Sequence, residues 1–265
     1  MGEKLAIVSS KVQTTRHRIK GIITEKDYQL IISDTPGIID VKYKLHQHMM
    51  DTIKDALEDA DLALLIADAH DDPGEADQLF ESLKLKVPAI VVLNKIDLLD
   101  EKRLKEVTDF FASRAYCKKL LAISALSGIN RKKFIRSILE FIPEGPAYYD
   151  QDDISDLQTR FFVAELIREK IFEHAREEIP YHSTVQIKEY KEKSSLVKIV
   201  ADIIVQRETQ KGILIGEKGS MVRRIGTEAR KDIEAFIGNK VFLELFIKVK
   251  PGWRENEEML KELGY

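Results

Sequence analysis

Apolar and polar positions along this chain follow two rhythms. In the first half, short apolar runs at residues 28–33 (YQLIIS), 61–68 (DLALLIAD) and 88–94 (PAIVVLN), with a shorter one at 120–124, have the length of buried strands. Between them, apolar residues recur at helical spacing near 45–57, 74–86, 101–115 and 129–141. Near-continuous apolar strands separated by helices predict a parallel sheet covered on both faces. Residues 17–24 predict an edge strand, joined to 28–33 by a short hairpin through Glu25-Lys26-Asp27.

The second half is organised differently. Leu157, Phe161, Ala164, Ile167, Ile171 and Ala175 mark one helix stripe. Strands are predicted at 184–190 and 196–206, joined by a polar turn at 191–195. A short helix reaching Ile215 is followed by Gly216-Glu217-Lys218-Gly219. A second helix then carries Val222, Ile225, Ala229, Ile233 and Ile237 on one face, and a strand at 241–249 closes the module. The order is α-β-β-α-α-β. Residues 143–156 (PEGPAYYDQDDISD) separate the halves; two prolines, a glycine and an acidic cluster read as a solvated connector rather than a metal site. The expected division is 1–145, a connector at 146–156, and 157–265.

Composition narrows the class. A chain of 265 residues, 44% hydrophobic and 33% charged, holds two ordinary globular domains. A single cysteine, Cys117, excludes a disulfide framework, fits a reducing compartment and reads as a small hydrophobe near a strand. No apolar run approaches the roughly 18 to 20 residues of a membrane span. The first residues carry no secretion signal, so a cytoplasmic protein is expected. The net charge of -3 does not suggest nucleic acid. Residues 211–254, however, hold ten Lys/Arg against five Asp/Glu, which gathers a basic surface in an acidic chain.

Four short motifs carry chemistry. Asn94-Lys95-Ile96-Asp97 ends a predicted strand, where ligands of parallel sheets bind. A carboxylate at Asp97 can accept from guanine N1 and its 2-amino group, a donor pair that adenine lacks. Asn94 can bond the purine edge and brace neighbouring loops, and the Lys95 stem can cover base or ribose. Asp34-Thr35-Pro36-Gly37 ends another strand; Asp34 can reach Mg²⁺ through water, and the Gly37 N–H can meet a γ-phosphate. Ile123-Ser124-Ala125 ends a third, with backbone N–H groups available to the guanine carbonyl. Upstream, Gln13-Thr14-Thr15-Arg16-His17 is a switch candidate, in which Thr15, ahead of Thr14, would ligate Mg²⁺ when a γ-phosphate is present.

In that order these motifs resemble the bacterial Era family of GTPases. The resemblance implies GTP/GDP and Mg²⁺ as ligands, with Asp34, Thr35, Pro36, Gly37, Ile38, Asn94, Lys95, Ile96, Asp97, Ile123, Ser124 and Ala125 around the nucleotide. Ile38 stands where a water-orienting glutamine would stand in other GTPases, so slow hydrolysis is implied and no catalytic residue is assigned. Gly216-Glu217-Lys218-Gly219 has the G-x-x-G spacing with which KH modules bring backbone against single-stranded nucleic acid. Lys218, Arg223 and Arg224 can meet phosphates, with Glu217 inside the turn. Ile213 and Ile215 read as core in preference to groove floor. Residues 215–231 (IGEKGSMVRRIGTEARK) and 243–253 (LELFIKVKPGW) resemble the Era KH domain specifically.

The implied architecture is an α/β P-loop GTPase-type domain followed by an α+β type II KH domain. The motif G-x-x-x-x-G-K-[ST] occurs nowhere in the chain, so the first strand and phosphate loop of the family are missing from it. The expectation is that the sequence starts at an internal methionine of a longer gene, with roughly 20 to 25 residues preceding it, about one βα unit. Very weak GTP binding by the chain as it stands is expected. By resemblance the partners are the 3′ end of small-subunit ribosomal RNA and the 30S subunit, with peripheral inner-membrane association and a monomeric state. The rival reading is a non-catalytic KH RNA-binding protein with a degenerate GTPase domain. His46 and His48 read as ordinary surface or helix residues, and Trp253 as a base-stacking or packing residue.

Overall fold

The computed structural model describes residues 5–9 and 11–265. Along the chain come β1 (Ile19–Thr24), β2 (Gln29–Asp34), α1 (Lys44–Glu58), β3 (Ala63–Asp68), α2 (Pro73–Ser82), β4 (Ala89–Asn94), α3 (Glu101–Ala112), β5 (Cys117–Ala122) and α4 (Arg131–Leu139). There follow α5 (Thr159–His174), α6 (Ile179–His182), β6 (Thr184–Lys193), β7 (Leu196–Val205), α7 (Glu208–Ile215), α8 (Ser220–Ile237), β8 (Val241–Val249) and α9 (Glu257–Glu262). Every strand anticipated from the apolar runs is present. The short helices α6 and α9 were not anticipated; they span only 4 and 6 residues, too few to show a period. Two compact units result, one of residues 1–53 with 147–265, the other of residues 54–146.

Residues 54–146 hold a three-stranded parallel sheet in the order β3-β4-β5. Its register sets Asp68 beside Asn94 at the carboxyl ends of β3 and β4. β4 is central, and Ala89 to Leu93 are all buried. Ile90, Val92 and Leu121 make a core with Phe134 of α4 against them. Arg114 pairs with Asp77 at 2.9 Å, and the Tyr116 hydroxyl donates to the same carboxylate at 2.6 Å, joining α2 to the turn before β5. Burial and that carboxylate push the Tyr116 phenol well above its usual range. Cys117 is half-buried, and burial raises its thiol, as suits a packing residue.

In the other unit β1 and β2 form the expected hairpin, closed by the Glu25 N–H on Tyr28 O at 2.9 Å. The acidic connector is exposed yet tethered: the Ile22 N–H donates to Ile154 O at 2.9 Å, and Lys20 pairs with Asp156 at 2.9 Å. It thereby covers an edge of β1 that would otherwise offer unpaired backbone. The module that follows is a three-stranded sheet, β6-β7-β8, antiparallel then parallel. Ile167 and Ile171 of α5, Leu214 of α7 and Ile225, Ala229 and Ile233 of α8 pack on one face with Ile199, Ala201 and Ile203 of β7. Trp253 is fully buried with Leu45, Met49, Ile204 and Leu260, and its indole N–H donates to His182 O at 3.2 Å, so it packs and is not free to stack on bases. His46 is a helix residue of α1, buried, with its ring 3.8 Å from that of Tyr43 and Nδ1 3.1 Å from Asp40 O.

α5 is buried around its whole circumference. Its polar side, Glu165, Arg168, Glu169 and Lys170, would face water in an isolated helix, but residues 5–9 and 11–17 lie across the first three, and Lys170 pairs with Asp232 of α8 at 2.7 Å. The Val8 N–H donates to Glu169 Oε1 at 3.1 Å, and Arg168 donates to Thr14 O. Within α5, Arg168 is bonded to both carboxylate oxygens of Glu165, at 2.8 and 2.6 Å. Burial works against both charges, yet their mutual attraction holds Glu165 below and Arg168 above their usual ranges.

His17 completes this layer, its ring stacked on Tyr265 at 4.4 Å and edge-on to Phe161 at 5.4 Å. Burial lowers its pKa to about 4; Glu165 opposes the shift, and Arg168 and Arg16 reinforce it. A depressed histidine stabilises the fold fully above its unfolded value near 6.5, and the contribution fades as pH falls toward 4. His182, lowered to about 4 by burial and by Arg254, acts in the same direction. Stability is therefore expected to fall between pH 7 and 5, before the depressed carboxylates begin to protonate. His17→Phe, which keeps the stacking and removes the proton site, should reduce that fall when urea midpoints at the two pH values are compared.

Candidate functional site

In the unit of residues 54–146 the strand ends bring two of the predicted motifs together. The Asn94 side chain accepts from the Lys95 and Ala125 N–H groups, each at 2.9 Å, and the Ile96 N–H reaches Ile123 O at 3.3 Å. Asn94 thus braces the loop that carries Ile123-Ser124-Ala125. Lys95 takes a left-handed conformation (φ 63°), which turns the chain into a single 3₁₀ turn at Ile96–Leu98. Its ammonium is held 2.5 Å from Asp68, a residue not singled out in the sequence. The signal was present, because Asp68 ends β3 as Asn94 ends β4. Burial opposes ionisation of Asp68, but the Lys95 ammonium and the His70 N–H together outweigh it and leave the carboxyl below its usual range. Asp97 is exposed, and among the described residues its carboxylate has no hydrogen-bond or ionic partner. It is an acceptor pair on a braced loop, open to a ligand with two adjacent donors.

The other predicted nucleotide residues lie in the unit with residues 1–53. The Thr15 hydroxyl donates to Asp34 Oδ2 at 3.0 Å, so the two metal candidates meet directly. Asp34 is at the surface but closely enough surrounded that desolvation raises its carboxyl, with the Thr15 bond offsetting part of the rise. One neutral and one anionic oxygen, the latter short of compensating charge, suit a hard divalent cation. Pro36 is buried; Gly37 is exposed, with open space where a side chain would stand. Thr35 and Ile38 are half-buried.

Around Thr15 the segment is fixed by cations on peptide carbonyls. Lys11 donates to Ala175 O at 2.6 Å and to Phe172 O, at the carboxyl end of α5. Arg16 is buried and donates to Pro180 O, Tyr181 O and Ser183 O at 3.0, 3.0 and 2.8 Å. Gln13 adopts φ 57° between these anchors. The sequence motif showed these residues as a switch candidate and gave no sign that their side chains were structural anchors.

The 216–219 turn joins α7 to α8. Gly216 has φ 71° and ψ 174°, and a side chain there would meet Met221 at 2.8 Å, so the position admits only glycine. Gly219 has φ 78° with open space around it. Lys218 and Arg223 are exposed and unpaired among the described residues, and Arg224 pairs with Glu228 at 3.1 Å. Ile213 and Ile215 are 54% and 36% exposed, which corrects the core reading; Leu214 between them takes the buried position. Glu173, His174 and Glu228 offer ligand atoms within 4.8 Å of one another. Lys170 and Arg224 already neutralise the two carboxylates, so the cluster is satisfied from within.

Comparison with known proteins bears on the fold and the family. A family model described as a KH domain matches residues 178–254, and one described as a 50S ribosome-binding GTPase matches residues 1–95. The GTPase Era of Caldanaerobacter subterraneus subsp. tengcongensis is 43% identical over 267 residues, covering 99% of this chain and 90% of that protein. The GTPase Era of Geotalea uraniireducens is 41% identical, covering 100% and 90%. A crystal structure of Era in complex with MgGDPNP and nucleotides 1506–1542 of 16S ribosomal RNA matches with TM-score 0.96, at 36% identity and covering 100% of this chain and 91% of that one. A variant of Aquifex aeolicus Era bound to GDP·AlF4⁻ matches with TM-score 0.95, at 36% identity over 100% and 92%. Fold and sites together define a GTPase-type domain followed by a carboxyl-terminal KH domain. The chain belongs to the Era family of GTPases.

The two glycines of the 216–219 turn should differ in tolerance. Gly216→Ala, which needs both an unfavourable φ and room that is absent, is expected to cost at least about 2 kcal/mol. Gly219→Ala should cost only the roughly 1 kcal/mol of a left-handed alanine. Urea denaturation of both variants checks the order.

Proposed function

We propose that this chain is a GTP-binding, RNA-binding protein that binds small-subunit ribosomal RNA and assists assembly of the 30S subunit. In this reading residues 1–145 form the nucleotide-reading domain, 146–156 the connector and 157–265 the KH domain. Asp97 reads guanine, with Asn94, Lys95, Ile96, Ile123, Ser124 and Ala125 shaping its loop. Thr15 and Asp34 hold Mg²⁺, which neutralises phosphate charge when bound. Gln13, Thr14, Arg16 and His17 flank that pair as a switch, and Thr35, Pro36, Gly37 and Ile38 line the phosphate side. A cytoplasmic location accords with a single, half-buried thiol. Among the described residues no helix is long and apolar enough to cross a membrane.

The observation that carries the RNA reading is the 216–219 turn. Its glycines keep side chains out of the way, Lys218 and Arg223 stand free, and Ile213 and Ile215 offer apolar surface beside them. A phosphodiester backbone can approach such a turn closely, and bases can lie on the isoleucines. Gly219→Asp places a carboxylate against that backbone. Affinity for a single-stranded RNA from the 3′ end of small-subunit ribosomal RNA should fall at least tenfold by fluorescence anisotropy. Undiminished binding removes the assignment.

The guanine reading makes a separate prediction. Asp97→Asn exchanges an acceptor pair for a mixed donor and acceptor, which no longer matches guanine and does match xanthine. In a protein that also carries the family's phosphate loop ahead of these residues, the preference for GDP over XDP in displacement of a fluorescent nucleotide should shrink or reverse. An unchanged ratio refutes the role of Asp97.

A further inference from the structure

The unit of residues 54–146 carries a charged surface that its nucleotide-reading loops do not use. Arg131, Lys132, Lys133 and Arg136 of α4 and Lys119 of β5 line an open depression of about 820 Å³. Glu140 is the one carboxylate in the lining, and it is bonded to Lys119 at 2.5 Å. Five cations against one acid leave four positive charges in excess. The four on α4 are exposed and have no acidic partner among the described residues.

This concentration is not a by-product of composition. Residues 54–146 hold fourteen Lys/Arg against seventeen Asp/Glu, so the unit is acidic overall and its cations are gathered in one place. The arrangement also works against α4 itself. Three cations occupy its first turn, where the helix dipole favours acids, and no acid is present there. Lys132 and Arg136, four residues apart, repel each other as well. Phe134 and Ile138 bury the opposite side of the helix and so aim the charges outward. Unfavourable local electrostatics on a fixed surface are relieved when a polyanion covers it.

We infer that the α4 surface is a second RNA contact, which grips the phosphodiester backbone without reading sequence. The inference rests on the RNA-binding role proposed for the 216–219 turn and adds an anchor for a longer strand. The lining contains no apolar side chain, only cations, Ser137, Asn130, Gly128 and Glu140. That favours a nucleic-acid backbone over a bilayer, whose binding surfaces combine cations with inserted apolar groups.

The full chain carrying K132A/K133A/R136A should bind a hexanucleotide as the parent does, yet lose about tenfold or more in affinity for an RNA of about 40 nucleotides at 0.1 M salt. The slope of log affinity against log salt for the long RNA should fall by about 2, at roughly 0.7 per lost phosphate contact. The charge-keeping variant K132R/K133R/R136K should match the parent, which separates lost charge from lost folding. Unchanged affinity and slope for the long RNA overturn the inference. So does a triple variant that keeps RNA binding but no longer sediments with phosphatidylglycerol vesicles, an outcome that assigns the surface to lipid. Gly219→Asp is the second arm: if it leaves hexanucleotide binding intact, the reading of the turn fails. If it abolishes that binding while the triple variant changes nothing, only the α4 inference fails.

Discussion

The unit that contains the RNA-binding module depends on cations meeting peptide carbonyls along residues 11–17. α5 ends with free carbonyls, as every helix does, and Lys11 satisfies those of Phe172 and Ala175. α6 spans only four residues and leaves more, which Arg16 collects with both of its terminal nitrogens. Arg168 returns the bond by donating to Thr14 O while it neutralises Glu165. Each cation is buried or half-buried, so none of these bonds competes on equal terms with water. Removing Glu165 would leave the buried Arg168 charge uncompensated, at a cost of about 3–5 kcal/mol.

A chain of contacts follows from that anchoring. Thr15 sits between the anchored Thr14 and Arg16, and its hydroxyl is bonded to Asp34 at the end of β2. α5, on which the segment rests, reaches α8 through His174 and Glu228 at 2.6 Å, and α8 begins at the 216–219 turn. The Thr15–Asp34 pair and the 216–219 turn are thus joined by one continuous series of packed and bonded groups. Interior packing of this kind transmits displacement instead of absorbing it.

What the sequence disclosed was whatever a local period or a local motif encodes. The apolar runs at 61–68 and 88–94 gave β3 and β4, because a buried parallel strand needs side chains of one kind on both faces. Asn94 and Asp97 were legible because their loop is contiguous in the chain. The partnership of Lys95 with Asp68 needs the register of two strands, and no single motif holds it. Burial of Arg168, Glu169 and Lys170 could not be read at all, since their spacing on α5 is that of a solvated face. Arg168 and Glu169 are bonded to residues 154 and 161 positions away, and Lys170 to Asp232 of α8; the buried groups are long polar side chains that any propensity scale places at the surface. Ile213 and Ile215 failed in the other direction: apolar residues on a short helix beside a glycine turn read as core, while the fold gives that place to Leu214 and leaves them open.

The loops at 94–97 and 216–219 share a physical design. Around Asp97 every neighbouring polar group is already committed: Asn94 to two backbone N–H groups, Lys95 to Asp68, Ile96 to Ile123. The Asp97 carboxylate, exposed, is without a partner among the described residues. Around Lys218 the backbone is similarly determined, by a glycine that tolerates no side chain and a helix that starts immediately after it. The uncommitted ammonium is again the exposed one. A loop with many unsatisfied groups would reorganise to satisfy them among themselves, and would have to break those bonds to bind. Leaving the exposed group free in a satisfied surround removes that cost.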